Sequence, residues 1–164
     1  MRLNIGSGSY PLDGFINLDL PDFDMTVIPW VYSDNSADFI NLSHVIEHVD
    51  RDTGALVIAE CYRVLSYDGI LRIATPDLDK FIHAHATGDF SGLGGYHWTS
   101  LNSLAGGGDD EPVLAQRHRY LYSAASLIYT LLERDYTIIH RTPFDERYDN
   151  PKYQAISLYM EATK

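Results

Sequence analysis

Residues 34–77 read DNSADFINLSHVIEHVDRDTGALVIAECYRVLSYDGILRIATPD, and the change of hydrophobic period inside this stretch predicts the fold. Residues 38–43 (DFINLS) have the length and apolar content of a strand that is buried on both faces for most of its length. Residues 52–66 then have helix length and mostly helix-favouring residues. Residues 70–74 form the next strand, which must end by Pro76 because a proline cannot sit in mid-strand. Strand, helix and strand in this order predict an α/β domain with a mainly parallel sheet.

Elements of the same kind are predicted on both sides of this stretch. The central helix takes Asp50 or Asp52 as its N-cap and residues 67–69 as its stop. Further strands are predicted at Arg2–Ile5, Phe15–Leu20, Met25–Trp30, Tyr136–Arg141 and Ala155–Glu161, and further helices at Leu78–Ala86 and Ser123–Arg134. A polar loop without a helix joins the last two strands, which predicts an antiparallel pair at the sheet edge. Residues 87–116 are rich in glycine and are interpreted as an irregular loop or lid.

Length and composition restrict the class of protein. A chain of 164 residues with 45% apolar and 21% charged residues suits a single folded domain over residues 1–164. The formal charge of −11 disfavours a nucleic-acid partner, because phosphate backbones are bound by clustered Lys and Arg. No apolar run has the length of a membrane span, and glycine follows the N-terminus too soon for a signal peptide. With one cysteine, Cys61, the expected location is the cytoplasm.

The first motif with chemical meaning is NIGSGSYPLDGFINLDL, residues 4–20. Gly6 and Gly8 follow the first strand, where backbone without side chains can approach a ligand closely. Asp19 ends the second strand, where a carboxylate can meet ribose hydroxyls. Taken alone this signal is weak. It gains weight because ligands of open α/β sheets bind beyond the carboxyl ends of the strands, where Ser43 and His44 end another predicted strand.

The second motif, HVIEH at residues 44–48, has the H-x-x-E-H spacing of a zinc protease. A zinc site of that kind needs these residues to be helical and needs a third ligand downstream. The apolar strand directly before the motif favours a strand that leads into a turn instead. Although spacing alone does not exclude zinc, the sequence predicts no metal site.

With these motifs in place, the chain resembles the short predicted class I S-adenosylmethionine-dependent methyltransferases. The resemblance rests on LNIGSG, GFINLDL, YSDNSADFINLSHVIEHV, ECYRVLSYDGILRIATPDLDKF and HRYLYSAASLIYTLLERDY with the later ISLYMEA. It implies a Rossmann-like methyltransferase sheet, mostly parallel with an antiparallel C-terminal edge pair and reduced first helices. It also implies S-adenosyl-L-methionine as the cofactor and a small-molecule or saccharide-like acceptor.

The resemblance assigns roles residue by residue. The predicted cofactor-binding residues are Gly6, Ser7 and Gly8 under the methionine and ribose, Asp19 on the ribose, Leu20, Asp24 and Met25 at the adenine, and Ser43, His44 and Val45 near the sulfonium. His118 is the predicted catalytic base or acceptor contact, and the predicted acceptor contacts are His97, Trp98 and Tyr120. From the residues alone, Met25 and Val45 could equally be core side chains and Asp24 a solvated loop acid.

One feature departs from most class I methyltransferases. Only residues 6–14 separate the first two predicted strands, whereas a parallel crossover normally takes about a dozen residues or more. The first helix is therefore expected to be reduced to a turn. Because the first helix is reduced, a second hypothesis stays open: a catalytically inactive methyltransferase-fold module that serves as a binding or scaffold protein. An NAD-dependent oxidoreductase is disfavoured, since GSGSYP lacks the third glycine of the dinucleotide motif. A homodimer stays open.

Overall fold

The computed structural model describes residues 1–94 and 117–164 of the chain. Six strands form one sheet in the order β2-β1-β3-β4-β6-β5. Their bounds are Arg2–Ile5 (β1), Ile16–Leu18 (β2), Ala37–Ser43 (β3), Leu65–Pro76 (β4), Ile139–Arg141 (β5) and Ser157–Thr163 (β6). The first four strands pair in parallel, and β6 pairs antiparallel with both β4 and β5. The predicted fold class and the antiparallel edge pair are therefore confirmed.

Three α-helices accompany the sheet in the described parts of the chain. They are Arg51–Val64 (α1), Leu78–Thr87 (α2) and Ala124–Leu132 (α3). Asp50 is the N-cap of α1, because its side chain accepts a hydrogen bond from the backbone of Thr53. Ser123 caps α3 and shares a capping box with Ser126. Among the described residues, no helix has the length and apolar content needed to span a bilayer.

The main core lies between one face of the sheet and the helices α1 and α3. It combines inward-facing strand residues such as Leu3, Ile40 and Leu71 with Ile58 of α1 and Leu127 of α3. Because side chains alternate along a strand, the intervening residues face the other side of the sheet.

That other face carries a polar row across the sheet. The row joins register partners in the sequence Asn17, Asn4, Asn41, Arg72, Glu161 and His140. Arg72 is fully buried, donates to Glu161 and Asp149, and also reaches the carbonyl of Pro143. These bonds hold residues 143–149 against the sheet face that lies opposite α1 and α3.

Two predicted strands differ from the structure. The strand predicted at Met25–Trp30 is wrong: this segment is a series of turns. Trp30 explains the difference, because its indole N–H donates to the Met25 carbonyl and its backbone N–H to the Glu60 carboxylate. Those groups are then not offered to a neighbouring strand. The strand predicted at Tyr136–Arg141 starts only at Ile139, since the backbone of Tyr136 still bonds the end of α3 at Leu131.

The predicted stop of the central helix is also displaced. The helix ends at Val64, and residues 67–69 lie inside the long strand β4. The register there jumps from the pair Ala37–Leu65 to the pair Phe39–Ile70, so the predicted turn lies at an irregularity of the pairing between β3 and β4.

Candidate functional site

The candidate site lies at one edge of the sheet, where several strand ends meet. β1, β2, β3 and β4 run in parallel, so their carboxyl ends share this edge. β6 runs the opposite way and brings its first residue, Ser157, to the same edge opposite Pro76. Antiparallel pairing therefore adds a residue to the site that the sequence analysis did not select.

The glycine loop after β1 is packed against the turn after β3. Gly6 has a φ of +70°, which favours glycine, and both its N–H and that of Ser7 donate to the carbonyl of Leu18. A Cβ added to Gly6 would lie 2.5 Å from Val45 Cγ2. The structure thus brings the predicted residues Gly6 and Val45 together, with Ser7 next to Gly6 in the loop, and Val45 also packs against the main core.

Asp19 lies beside the second glycine of the loop. Among the described residues, a Cβ added to Gly8 would have one neighbouring atom within 4 Å, Oδ2 of Asp19 at 3.9 Å. Asp19 is half-buried, and no residue of the described parts donates a hydrogen bond to its carboxylate. An uncommitted carboxylate next to side-chain-free backbone can accept hydrogen bonds from a ligand such as a ribose.

The predicted adenine-side residues differ in accessibility. Leu20 is 65% exposed, whereas Met25 is 8% exposed and belongs to the main core. Asp24 is exposed and accepts hydrogen bonds from the side chain and backbone of Thr26, and these bonds lower the pKa of its carboxyl. The structure therefore favours core packing for Met25, one of the two interpretations left open by the sequence.

His44 is held between β4 and β6. It has a φ of +52° and its N–H donates to the carbonyl of Ala74. The Nε2 atom lies 2.7 Å from the hydroxyl of Ser157, which itself donates to the carbonyl of Tyr153. The imidazole also packs on the Tyr153 ring, with the two ring centroids 4.2 Å apart. Ser43, just before it, is half-buried at the end of β3.

Glu47 and His48 lie on the short 3-10 helix Ile46–His48 that follows. The Glu47 side chain is buried, with Oε1 3.2 Å from His44 Nδ1 but without the alignment of a hydrogen bond. Its other oxygen accepts from Thr75 at 3.3 Å. Burial disfavours the carboxylate, but contact with His44 and the charge of His48 outweigh burial and lower the pKa of Glu47.

The segment that carries His118 is bonded to this turn. The backbone N–H groups of Arg119 and Tyr120 both donate to the carbonyl of Glu47. The centroids of the His118 and His48 rings are 5.0 Å apart, and Tyr120 packs edge-on against Tyr122. Of the predicted acceptor contacts, Tyr120 is therefore placed beside the core, and His97 and Trp98 lie outside the described residues.

A cavity of about 320 Å³ lies on the β6 side of this edge, lined by Asp77, Lys80, Arg141, Phe144, Ser157 and Tyr159 among others. Asp77 is buried, forms an ion pair with Arg141 and accepts from the backbone at the start of α2. Lys80 donates to the carbonyls of Ala155 and Ser157, and burial lowers the pKa of its ammonium group. The sequence analysis did not select these residues. Asp77, directly after a predicted strand, is the one that the strand-end rule could have found.

Two comparisons bear on this site. Residues 10–73 match the family model described as a methyltransferase domain. The structure is similar to an S-adenosylmethionine-dependent methyltransferase from Archaeoglobus fulgidus, with a TM-score of 0.55 and 13% identity over 93% of this chain and 69% of the other. The chain has the class I methyltransferase fold. The resemblance stated from the sequence is thereby confirmed.

Other methyltransferase structures share this fold. An S-adenosylmethionine-dependent methyltransferase from Thermotoga maritima, described as a possible histamine N-methyltransferase, has a TM-score of 0.56 and 16% identity over 92% of this chain and 65% of its own. A Burkholderia thailandensis 1,6-didemethyltoxoflavin-N1-methyltransferase, solved with its substrate and S-adenosylhomocysteine, has a TM-score of 0.51 and 15% identity over 90% and 51%. The chain thus spans about half to two thirds of the length of these proteins. No curated protein sequence matches it.

Proposed function

We propose that this domain transfers a methyl group from S-adenosyl-L-methionine to a small-molecule acceptor. The observation that carries the proposal is the convergence of the glycine loop with Asp19 on one side and Val45 on the other. The family match and the cofactor named for similar structures support the same cofactor. The saccharide-like nature of the acceptor, the cytoplasmic location and the homodimer stay predictions from the sequence.

The residues present fit an adenosyl group. Gly8 presents no side chain beside the uncommitted Asp19 carboxylate, which would hold the ribose hydroxyls. Leu20 is exposed next to it and would cover the adenine, and Asp24 would border the ring. Ser43, His44 and Val45, at the end of β3, would line the methionine and sulfonium portion.

When bound, S-adenosyl-L-methionine supplies an electrophilic methyl group on a sulfonium. The acceptor atom would take this methyl group, and the electron pair of the broken carbon–sulfur bond would stay on sulfur. A hydroxyl or amine acceptor must also lose a proton to a base. His118 is the predicted base, and the cavity around Lys80 and Arg141 adjoins His44 through Ser157, so it could hold the acceptor.

Calorimetry with S-adenosylhomocysteine tests the cofactor part of the proposal. Asp19→Ala should weaken binding by about 1–3 kcal/mol, because it removes hydrogen bonds to a charged acceptor. Glu133→Ala is the matched control, since it removes the same charge from an exposed position at the end of α3. Absence of binding to the wild-type protein at millimolar ligand, or equal affinity of both variants, would contradict the proposal.

The binding-module hypothesis is favoured by one observation. Between β1 and β2 the structure has turns and no helix, so the glycine loop lacks the helix N-terminus that usually supports such a cofactor site. Turnover assays over a panel of hydroxyl and amine acceptors separate the two hypotheses. Cofactor binding with methyl transfer supports the enzyme, and binding with no transfer to any acceptor supports the module.

A further inference from the structure

Glu47, His48 and His118 form a cluster in which one ligand atom of each residue lies within 4.8 Å of the others. Two atoms of these residues, Glu47 Oε1 and His48 Nδ1, are buried and make no hydrogen bond to any residue that the structure describes, although Glu47 Oε1 also lies 3.2 Å from His44 Nδ1. A buried polar atom without a partner costs about 1–3 kcal/mol, so such atoms call for an explanation. A cation coordinated through these two atoms would give both of them a partner.

We propose that Glu47, His48 and His118 bind a divalent transition-metal ion, with Zn²⁺ as the ion that best matches the ligands. Two imidazoles and one carboxylate are a known ligand set for zinc, and a three-residue set leaves a fourth position for water or a substrate atom. Imidazole suits zinc better than the hard cations Mg²⁺ and Ca²⁺, which prefer oxygen ligands.

The fold assembles these ligands without help from the metal. Glu47 and His48 are neighbours on the 3-10 helix, and the carbonyl of Glu47 accepts two backbone hydrogen bonds from the residues that follow His118. Metal–ligand bonds of about 2.0–2.1 Å place ligand atoms about 3.4 Å apart in a tetrahedral site. Binding therefore requires the ligand atoms to approach one another by up to about 1.4 Å.

This site is different from the one that the spacing H-x-x-E-H suggests. There the two histidines, His44 and His48, would be ligands and the glutamate a base. Here His44 is bonded to Ser157 instead, and Glu47 is a ligand. A metal ion at this site would make His118 a ligand in place of the base predicted from the sequence, because a ligating nitrogen has no lone pair left to accept a proton.

Zinc titration of the chelator-treated, metal-free full-length chain tests the proposal. We expect one Zn²⁺ per chain, a higher Tm with zinc, and at least about a 100-fold loss of affinity in His48→Ala and His118→Ala, since even residues that only support ligands typically contribute 10–100-fold. His85→Ala is the matched control, because His85 is an exposed histidine of α2 outside the cluster, and it should bind zinc like the wild type. Cobalt(II) should give the visible absorption of a low-coordinate site, and His118→Ala should abolish it.

The outcomes are distinguishable from those of the proposed methyl transfer. Absence of zinc binding, or binding unchanged in both cluster variants, overturns the metal site and leaves S-adenosylhomocysteine binding unaffected. Circular dichroism checks that each variant is folded. If either alanine variant is unfolded, His48→Asn or His118→Asn replaces it, and the same loss of zinc affinity is expected. Binding of Mg²⁺ but not Zn²⁺ also overturns the proposal.

Discussion

Gly6→Ala tests the contact on which the candidate cofactor site depends. The added methyl group would meet Val45 Cγ2 at 2.5 Å and Val45 Cβ at 2.7 Å, closer than real carbon atoms approach. The φ of +70° adds backbone strain, which is typically about 1–2 kcal/mol for an L-residue. Either the glycine loop or the turn after β3 must therefore move.

Gly14→Ala provides the control that separates strain from crowding. Gly14 has a φ of +77°, but no atom of the residues that the structure describes lies within 4 Å of an added Cβ. Both substitutions incur the same backbone strain, and both gain about 0.4–1 kcal/mol from a less flexible unfolded chain. Gly14→Ala should therefore lower the free energy of unfolding by about 1 kcal/mol. Gly6→Ala adds overpacking of about 1–3 kcal/mol, for a total loss of about 2–4 kcal/mol.

Urea unfolding of the two variants and the wild type measures this difference. The free energy of unfolding should fall by about 1–3 kcal/mol more for Gly6→Ala than for Gly14→Ala. Only Gly6→Ala should also weaken the binding of S-adenosylhomocysteine, because this substitution displaces the glycine loop beside Asp19. Equal stabilities within about 0.5 kcal/mol would refute the close packing of Gly6 on Val45.

Three further predictions concern buried groups. Asp149→Ala leaves the buried Arg72 with Glu161 as its remaining carboxylate, so urea unfolding should show a loss of about 3–5 kcal/mol. Hydrogen bonds from Arg63 lower the pKa of Glu60, so its stabilising effect exists at neutral pH and is lost on acidification. The stability gap between wild type and Glu60→Gln should therefore narrow below about pH 4, and a constant gap would contradict this. Burial raises the pKa of the Cys61 thiol, so a disulfide reagent at pH 8 should label it only after unfolding.

The elements that the sequence predicts well are those set by local hydrophobic pattern. The strand before the His-bearing turn and the helix after it are found within two residues, because an apolar run and a capped helix are local signals. The strand predicted at Met25–Trp30 fails because the Glu60 carboxylate, from α1, binds the backbone of Trp30. No local pattern reports on such a distant side chain.

The residues of the candidate site also fall into two groups, those that the sequence predicts and those that it does not. The strand-end rule selects the glycine loop, Asp19 and the turn after β3, since their positions follow from parallel strands. Ser157 and the cavity around Lys80 depend on the direction of β6 and on α2 packing beside it, which sequence spacing does not fix. The cluster of His48 with His118 likewise depends on a backbone contact between distant segments.

The HVIEH motif shows why a spacing cannot be translated directly into a site. In an α-helix, His44 and His48 would lie one turn apart on the same face. The left-handed backbone at His44, with its N–H on the carbonyl of Ala74, ends the strand and prevents that helix. His44 then contacts Ser157 on β6, and His48 contacts His118. The motif therefore contributes His44 to the proposed cofactor site and His48 to the proposed metal site. The positive φ of His44 favours this arrangement over the helix of a zinc protease.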